Sequence, residues 1–214
     1  MRALSSVLMS MLLLAVTAAP AQDAGRDHAV QALSHAEARI RRDAAARLGE
    51  IGTMADMKVL AAALRDPDEG TRDNAEQAMW RIWARSGSED VDRLYQQGIA
   101  QMSAGDLRQA IATFTSIIAL KPEFAEAWNK RATLHFLAGD LRKSLADCDE
   151  VVKRNPYHFG ALSGYAQIYA QLEYYDRALE YSRRALEVNP NLDAVRRNIE
   201  ALERLLGERR KRMI

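Results

Sequence analysis

One feature constrains the fold of this chain more than any other: a pattern that occurs three times at a spacing of 34 residues. Each copy ends at a proline, and these are Pro122, Pro156 and Pro190. The copies occupy residues 91–122, 125–156 and 159–190. A fixed period of about 20 to 50 residues is typical of solenoids, in which each unit packs only against its neighbours. The period therefore predicts an array of similar units.

Small residues at matching positions predict that each unit is a pair of helices. The eighth and twentieth positions of the copies hold Gly98, Ala132 and Ala166, then Ala110, Ser144 and Ala178. Small side chains let two antiparallel helices approach closely. Gly105-Asp106 and Gly139-Asp140 fall between the helices, where glycine ends the first helix and aspartate caps the second. The third copy has Glu173-Tyr174 instead, and we expect the same turn there.

These residues and their period resemble the tetratricopeptide repeat, a helix–turn–helix unit of 34 residues. The resemblance covers residues 88–191 as three repeats. It implies an all-α fold, a right-handed α-solenoid of stacked helical hairpins. Residues 192–214 would follow as a C-terminal capping helix and basic tail, with an apolar face of Val195, Ile199, Leu202 and Leu206.

Residues 27–87 carry a second, shorter similarity, in which Arg41-Arg42-Asp43-Ala44 corresponds to Arg72-Asp73-Asn74-Ala75. This segment resembles a HEAT-like helical pair, with a helix start capped by Asp66. We interpret Trp80 and Trp83 as the joint where this region meets the repeats, or else as core residues of a single hairpin. The boundary at residues 86–89 is short, so we expect both regions to stack as one rod.

Residues 1–21 have the pattern of a secretory signal peptide: Arg2, an apolar stretch and the cleavage-type sequence Ala19-Pro20-Ala21. An uncleaved anchor or a buried core helix is the alternative. Polar residues 23–28 would form a loose mature N-terminus. Cys148 is the single cysteine, at an inward-facing position, and disulfides are therefore not expected. This combination predicts a periplasmic protein of a Gram-negative bacterium, with membrane contact only through an uncleaved signal segment.

Composition and motifs argue against several function classes. The formal net charge of +1 lacks the basic excess of nucleic-acid-binding proteins. The four histidines have no zinc-site spacing, and no phosphate-binding loop or catalytic constellation is present. We therefore expect neither enzymatic activity nor a cofactor, a metal or a small-molecule substrate.

In tetratricopeptide proteins the first helix of each unit lines a groove that binds a peptide or protein. The resemblance implies these groove residues here: Tyr95, Ile99, Met102, Asn129, Thr133, Phe136, Leu137, Gln167, Gln171 and Arg197. Tyr95 and Ile99 stand where family members that capture a terminal carboxylate carry Lys and Asn. The predicted function is a non-enzymatic adaptor whose peptide groove is apolar at one end and in the middle and amide-lined toward the other. The alternative is an accessory subunit of a cell-envelope enzyme or assembly complex, docking through the HEAT-like/repeat junction.

Overall fold

The structure, a computed structural model, describes residues 19–212, and most of the predicted signal peptide therefore lies outside the described residues. Within residues 19–212 the regular structure is helical and contains no strand, which confirms the all-α class. The helices are α1 (Ala19–Ala32), α2 (Ala38–Ile51), α3 (Met57–Ala63), α4 (Glu69–Trp83), α5 (Glu89–Ser103), α6 (Leu107–Leu120), α7 (Ala125–Leu137), α8 (Leu141–Arg154), α9 (Phe159–Gln171), α10 (Tyr175–Val188) and α11 (Asp193–Arg212). None of these helices combines the length and the apolar character needed to cross a bilayer.

The three sequence copies fold as three helical hairpins, α5/α6, α7/α8 and α9/α10. The small positions lie where the helices meet: Ala110, Ser144 and Ala178 are each at most 1% exposed. At Gly98, an added Cβ would approach the ring of Phe114 to 2.8 Å. The predicted close approach of paired helices is therefore confirmed.

The turn inside each hairpin has the same backbone conformation in all three units. Gly105 and Gly139 have φ angles of 77° and 80°, and Glu173 has a φ of 61°. This left-handed region suits glycine and strains other residues. The third unit makes the expected turn with a residue that does not favour it.

The N-terminal region is built from α1 and α2, then α3 and α4, with α2 and α4 lying side by side in the same direction. Near the start of both helices, the Asn74 side chain donates to the Arg42 carbonyl at 3.1 Å. At their ends, the Arg85 guanidinium donates to the carbonyls of Gly49 and Gly52 at 2.8 and 2.7 Å. Arg85 therefore satisfies carbonyls that α2 leaves unpaired at its C-terminus, where a positive charge is favoured.

The helix start before α4 differs from the prediction. Asp68, not Asp66, is the cap, and its carboxylate accepts the Thr71 N–H at 2.8 Å. Asp66 instead accepts two hydrogen bonds from the Arg41 guanidinium, at 2.7 and 2.8 Å. The spacing of Asp66 and Glu69 is that of a capping box, but the Asp66 carboxylate is engaged in the ion pair with Arg41 of α2.

Residues 23–28, expected to be loose, lie within α1. Arg26 reaches the buried Asp56 through two hydrogen bonds of 2.8 Å each. Burial alone would raise the pKa of Asp56, but the Arg26 guanidinium and the Thr53 N–H outweigh it and hold that pKa below its usual value. This pair fixes α1 to the helices that follow.

The N-terminal region lies along the turns that join successive repeats. The side chain of Glu76 accepts from Asn189 at 2.9 Å, in the turn after α10. Farther along α4, Trp80 packs edge-on against Phe159, and Trp83 stacks on His158 with ring centroids 4.4 Å apart. Both tryptophans do form a joint, but with the third repeat. The expected end-to-end rod is wrong, because these apolar contacts place α4 beside the array.

The C-terminal helix covers the last repeat. Val195 is buried in a cluster with Leu162 and Ala185 of the third hairpin, and Ile199 packs against the same cluster. A solenoid leaves an apolar face at its end, and α11 removes part of that face from water. The first half of α11 therefore packs against the third hairpin, as a capping helix would.

We expect Glu173→Gly to stabilise the protein by roughly 0.5–1 kcal/mol, because glycine relieves the left-handed strain at the third turn. The measurement is the free energy of unfolding in urea. Glu173→Ala is the matched control: it also removes the ion pair between Glu173 and Arg209 but keeps the strain. An equal gain from alanine, or no gain from glycine, would contradict the strain argument.

Two glycines of α9 distinguish the contact with Trp80 from the general properties of the helix, because only one of them faces that ring. A Cβ at Gly160 would approach the Trp80 ring to 2.7 Å, whereas a Cβ at Gly164 would meet only Cys148 Sγ, at 3.7 Å. We expect Gly160→Ala to destabilise by about 1–3 kcal/mol through overpacking. Gly164→Ala should instead stabilise by up to about 1 kcal/mol, since alanine favours the helix. The measurement is the free energy of unfolding of both variants in urea. Equal changes in the two variants would mean that α4 does not pack against Gly160.

Candidate functional site

Two adjoining cavities lie along the first helices of the second and third hairpins. One, of about 60 Å³, lies between α7, α8 and α9, and the other, of about 510 Å³, lies between α7, α9, α10 and residues 198–202 of α11. Phe136 and Gln167 line both cavities. We call this surface the first-helix groove; its lining includes Asn129, Thr133, Phe136, Gln167, Ala170, Ser182, Asn198, Ala201 and Leu202.

The groove is mainly apolar, and it carries polar groups but no charged ones. Among the described residues, no acidic or basic side chain lines either cavity. The polar groups are amides and hydroxyls, and the apolar ones include Phe136 and Leu202. Such a surface offers hydrogen bonds and apolar contacts, but no ion pair.

One hydroxyl in the groove lacks a partner. Ser182, on α10, is 1% exposed and lines the larger cavity. Its Oγ makes no hydrogen bond to any described residue. A buried polar group without a partner is destabilising, and it marks a place where a bound molecule would be favoured.

The structure brings together four of the ten predicted groove residues, namely Asn129, Thr133, Phe136 and Gln167. The three from the first repeat lie elsewhere. Tyr95 is 5% exposed and packs between Phe114 and Phe124. Ile99 and Met102 are partly buried against the same cluster. These three side chains therefore serve the first hairpin's core and line neither cavity.

Leu137, Gln171 and Arg197 are exposed but line neither cavity of the groove. Sequence reasoning chose Arg197 for the far wall, whereas Asn198, Ala201 and Leu202 form it. The signal for these was the apolar face of α11, which includes Leu202. The position of α11 over the third repeat places Leu202 of that face at the cavity. The protein's own C-terminal helix thus walls the groove without filling it.

Beneath the groove lies a buried carboxylate, Glu126, only 2% exposed. It accepts hydrogen bonds from Asn129 Nδ2 at 3.1 Å and from Lys130 Nζ at 2.8 Å. Tyr95 approaches from the first repeat with its hydroxyl at 3.4 Å. His158 approaches from the third, with Nε2 at 2.8 Å. Glu126 therefore joins all three hairpins.

The hydrogen bonds of His158 fix which of its nitrogens carries the proton. Its Nδ1 accepts the Ala161 N–H at 3.0 Å, so that Nε2 is the donor to Glu126. His158 is fully buried and caps α9 through this Nδ1 contact. Burial opposes ionisation of Glu126, but the bonds from His158 and Lys130 prevail and lower its pKa to about 2.

Comparison with known proteins agrees with this architecture. Tetratricopeptide repeat family models match residues 95–159 and 160–192. Residues 95–192 are tetratricopeptide repeats. The matched segments hold the hairpins that build the groove and the Glu126 network.

Curated relatives share the repeats. A TPR repeat-containing protein of Rhizobium etli is 40% identical over 104 residues, which is 49% of this chain and 50% of that protein. Tetratricopeptide repeat protein 36 of Mus musculus is 31% identical over 94 residues, covering 44% of this chain and 47% of that protein. The chain thus spans about half the length of these relatives.

Solved tetratricopeptide structures show the same fold at low identity. The first TPR of Spaghetti (RPAP3), bound to the HSP90 peptide SRMEEVD, superposes with a TM-score of 0.54 at 21% identity, over 56% of this chain and 95% of that one. The Sgt2 TPR domain from Aspergillus fumigatus gives a TM-score of 0.55 at 22% identity, over 58% and 83%. At these identities the likeness establishes the fold of the repeats.

The cysteine and the potential metal ligands of the described residues can be assessed directly. Cys148 is 1% exposed, and burial raises the pKa of its thiol to about 12, so the reactive thiolate is absent at neutral pH. The predicted core role of Cys148 is confirmed. Residues 19–212 hold no group of three His, Cys, Asp or Glu side chains suited to a metal.

Glu126 should make the repeats sensitive to acid. Its pKa is lower in the folded state, so its contribution is complete above about pH 4.5 and is lost as pH falls towards 2. The shift corresponds to roughly 3 kcal/mol. We expect Glu126→Gln to be less stable at pH 7, and its unfolding free energy to fall less steeply between pH 5 and pH 2.

The measurement is urea unfolding at several pH values. Glu200→Gln is the matched control because Glu200 is exposed on α11, so that variant should retain the wild-type acid dependence. A Glu126→Gln profile parallel to that of the wild type would mean that another group carries the acid sensitivity.

Proposed function

We propose that this protein is a non-enzymatic adaptor that binds an extended or helical peptide of a partner protein in the first-helix groove. The observation that carries the proposal is the cavity of about 510 Å³, which has an uncharged lining and an unpartnered Ser182 hydroxyl. An open concave surface with convergent polar groups is where ligands bind most often.

The lining favours an uncharged peptide segment with an apolar anchor. Phe136 and Leu202 provide apolar contacts, while Asn198 and Gln167 provide amide donors and acceptors for a peptide backbone. A charged side chain or a terminal carboxylate would lose its water without gaining an ion pair. The groove therefore disfavours acidic peptide termini.

The solved likeness supports peptide binding as a use of this fold. The first TPR of Spaghetti (RPAP3) was solved with a bound HSP90 peptide. That peptide, SRMEEVD, is acidic at its C-terminal end, which our groove does not suit. We therefore take from that protein the role of peptide binder and not its ligand.

Two further parts of the proposal concern the flanking regions. The pairing of α1 with α2 and of α3 with α4 supports a HEAT-like origin for residues 27–87. A signal peptide at residues 1–21, and with it a periplasmic location in a Gram-negative bacterium, is proposed from the sequence pattern alone.

The alternative function, an accessory subunit docking through Trp80 and Trp83, gains no support from their surroundings. Trp83 is 3% exposed and stacks on His158 of the same chain. Trp80 packs against Phe159. Because both rings are engaged within the chain, neither projects as a free anchor for a partner, and Trp83 contributes only part of the wall of a cavity at this junction.

The groove can be tested by filling it. Ala201 and Ala194 are both exposed alanines on α11, but only Ala201 lines the groove. Peptides would first be selected from a displayed random library against the wild-type protein. We expect Ala201→Phe to weaken binding of the selected peptide by at least about tenfold, since the new ring occupies the cavity. Fluorescence polarisation measures the affinity.

Ala194→Phe is the control and should bind as the wild type does. Gln167→Ala should weaken binding less than the filling variant, by the loss of one or two hydrogen bonds. Peptides that bind Ala201→Phe as tightly as wild type would refute the groove, and so would a library that yields no binder.

A further inference from the structure

A further cavity, which shares no lining residue with the groove, lies where the N-terminal region meets the turns after the first and second repeats. It has a volume of about 220 Å³. We call it the junction cleft. Its apolar lining includes Met54, Ile82, Trp83 and Phe124, and its polar lining includes Arg85, Lys121, Glu123, Arg154 and Asn155.

Asn155 carries an unused hydrogen-bond donor in this cleft. The residue is 1% exposed, and its Oδ1 accepts the Tyr157 N–H at 3.2 Å in the turn around Pro156. Its Nδ2 has no partner among the described residues. A buried amide donor without an acceptor is rare and unfavourable, so an acceptor is missing from this position.

The third repeat shows what kind of acceptor fits. Asn189 lies 34 residues after Asn155, in the same Asn-Pro turn. Its Oδ1 accepts the Asn191 N–H at 3.0 Å, which reproduces the contact of Asn155 with Tyr157. Its Nδ2, however, donates to the Glu76 carboxylate at 2.9 Å. In the turn where the chain supplies a partner, that partner is a glutamate side chain.

The charges of the junction cleft favour the same group. Three cations and one carboxylate line it, and one of the cations, Arg154, is already paired with Glu150 on its own helix. Lys121 Nζ lies 3.9 Å from Glu123, whose side chain is 69% exposed, and this pair is therefore weak. Arg85 is bound to backbone carbonyls at the end of α2 and makes no ion pair within 4 Å among the described residues, although Asp92 attracts it from farther away. An incoming carboxylate would meet an excess of positive charge.

We propose that the junction cleft binds an acidic segment of a partner protein, with a glutamate side chain on Asn155 Nδ2 and the neighbouring cations. The role of Glu76 at Asn189 would thus be taken at Asn155 by a residue of the partner. The apolar wall of Met54, Ile82 and Phe124 accommodates an apolar residue beside that glutamate. This site differs from the first-helix groove in charge, in position and in the ligand it selects.

The probes are three short peptides: acetyl-Glu-Leu-Glu-amide, its glutamine counterpart acetyl-Gln-Leu-Gln-amide, and acetyl-Gln-Leu-Gln with a free C-terminus. Titration into the ¹⁵N-labelled full chain measures affinity and identifies the site. We expect the glutamate peptide to bind at least about tenfold more tightly than its amide counterpart. The side-chain amide resonances of Asn155 should shift with it. Binding should weaken as salt is raised.

Two variants test the residues. Asn155→Asp keeps the acceptor for the Tyr157 N–H but replaces the donor with a carboxylate oxygen, and we expect it to lose binding. Lys121 is only partly buried, so Lys121→Gln should keep the fold and weaken binding by about tenfold. Arg108→Gln is the matched control: Arg108 is exposed at the opposite end of α6 and should have no effect.

Equal affinity for the glutamate and glutamine peptides, or no binding by either, would overturn the proposal. Preference for the free-acid peptide would overturn the assignment to a glutamate side chain. Equal loss in Lys121→Gln and Arg108→Gln would mean that overall charge, rather than this cleft, attracts the peptide.

Discussion

The arrangement of this molecule depends on one buried carboxylate. Glu126 lies at the start of the second hairpin, where Tyr95 of the first and His158 of the third converge on it. A buried charge is tolerated only when several donors satisfy it, and here Lys130 and Asn129 complete the set. Loss of one repeat's contribution would leave the charge poorly satisfied, so the register of the three hairpins is coupled. The ring of Trp83 stacks on His158, and this contact links the N-terminal region to the Glu126 network.

Much of the repeat array could be predicted because it is periodic. The prolines at 34-residue spacing bounded the three hairpins, and the small residues at Gly98 and Ala110 located their contacts. The position of the N-terminal region could not be predicted in this way. It rests on contacts that occur once, such as Trp80 with Phe159, between residues about 80 positions apart. The sequence around Trp80 does not indicate that its partner is Phe159. An exposed apolar ring at Trp80 would be explained equally well by stacking of the N-terminal region on the end of the array.

The groove was predictable for the second and third repeats and not for the first. At equivalent positions of the first helices stand Tyr95 and Asn129. The larger aromatic ring of Tyr95 finds Phe114 and Phe124, and so turns into the core. The family pattern gives a position on the helix, but the packing of the neighbouring side chains decides whether that position faces a partner. The wall contributed by Asn198 and Leu202 lies beyond the repeats, where no pattern of equivalence applies.

The two proposed binding surfaces differ in charge, and they would therefore select different peptide segments. The first helices of the hairpins present amides, hydroxyls and apolar groups, while the turns between hairpins present Lys121, Arg154 and an unpaired amide. The N-terminal region itself binds one of these turns, since the Glu76 carboxylate accepts a hydrogen bond from the side-chain amide of Asn189. Since α4 ends at Trp83, it supplies no carboxylate to the equivalent amide at Asn155, which has no partner among the described residues. The glutamate that the chain itself places on Asn189 thus indicates the side chain that a partner would place on Asn155.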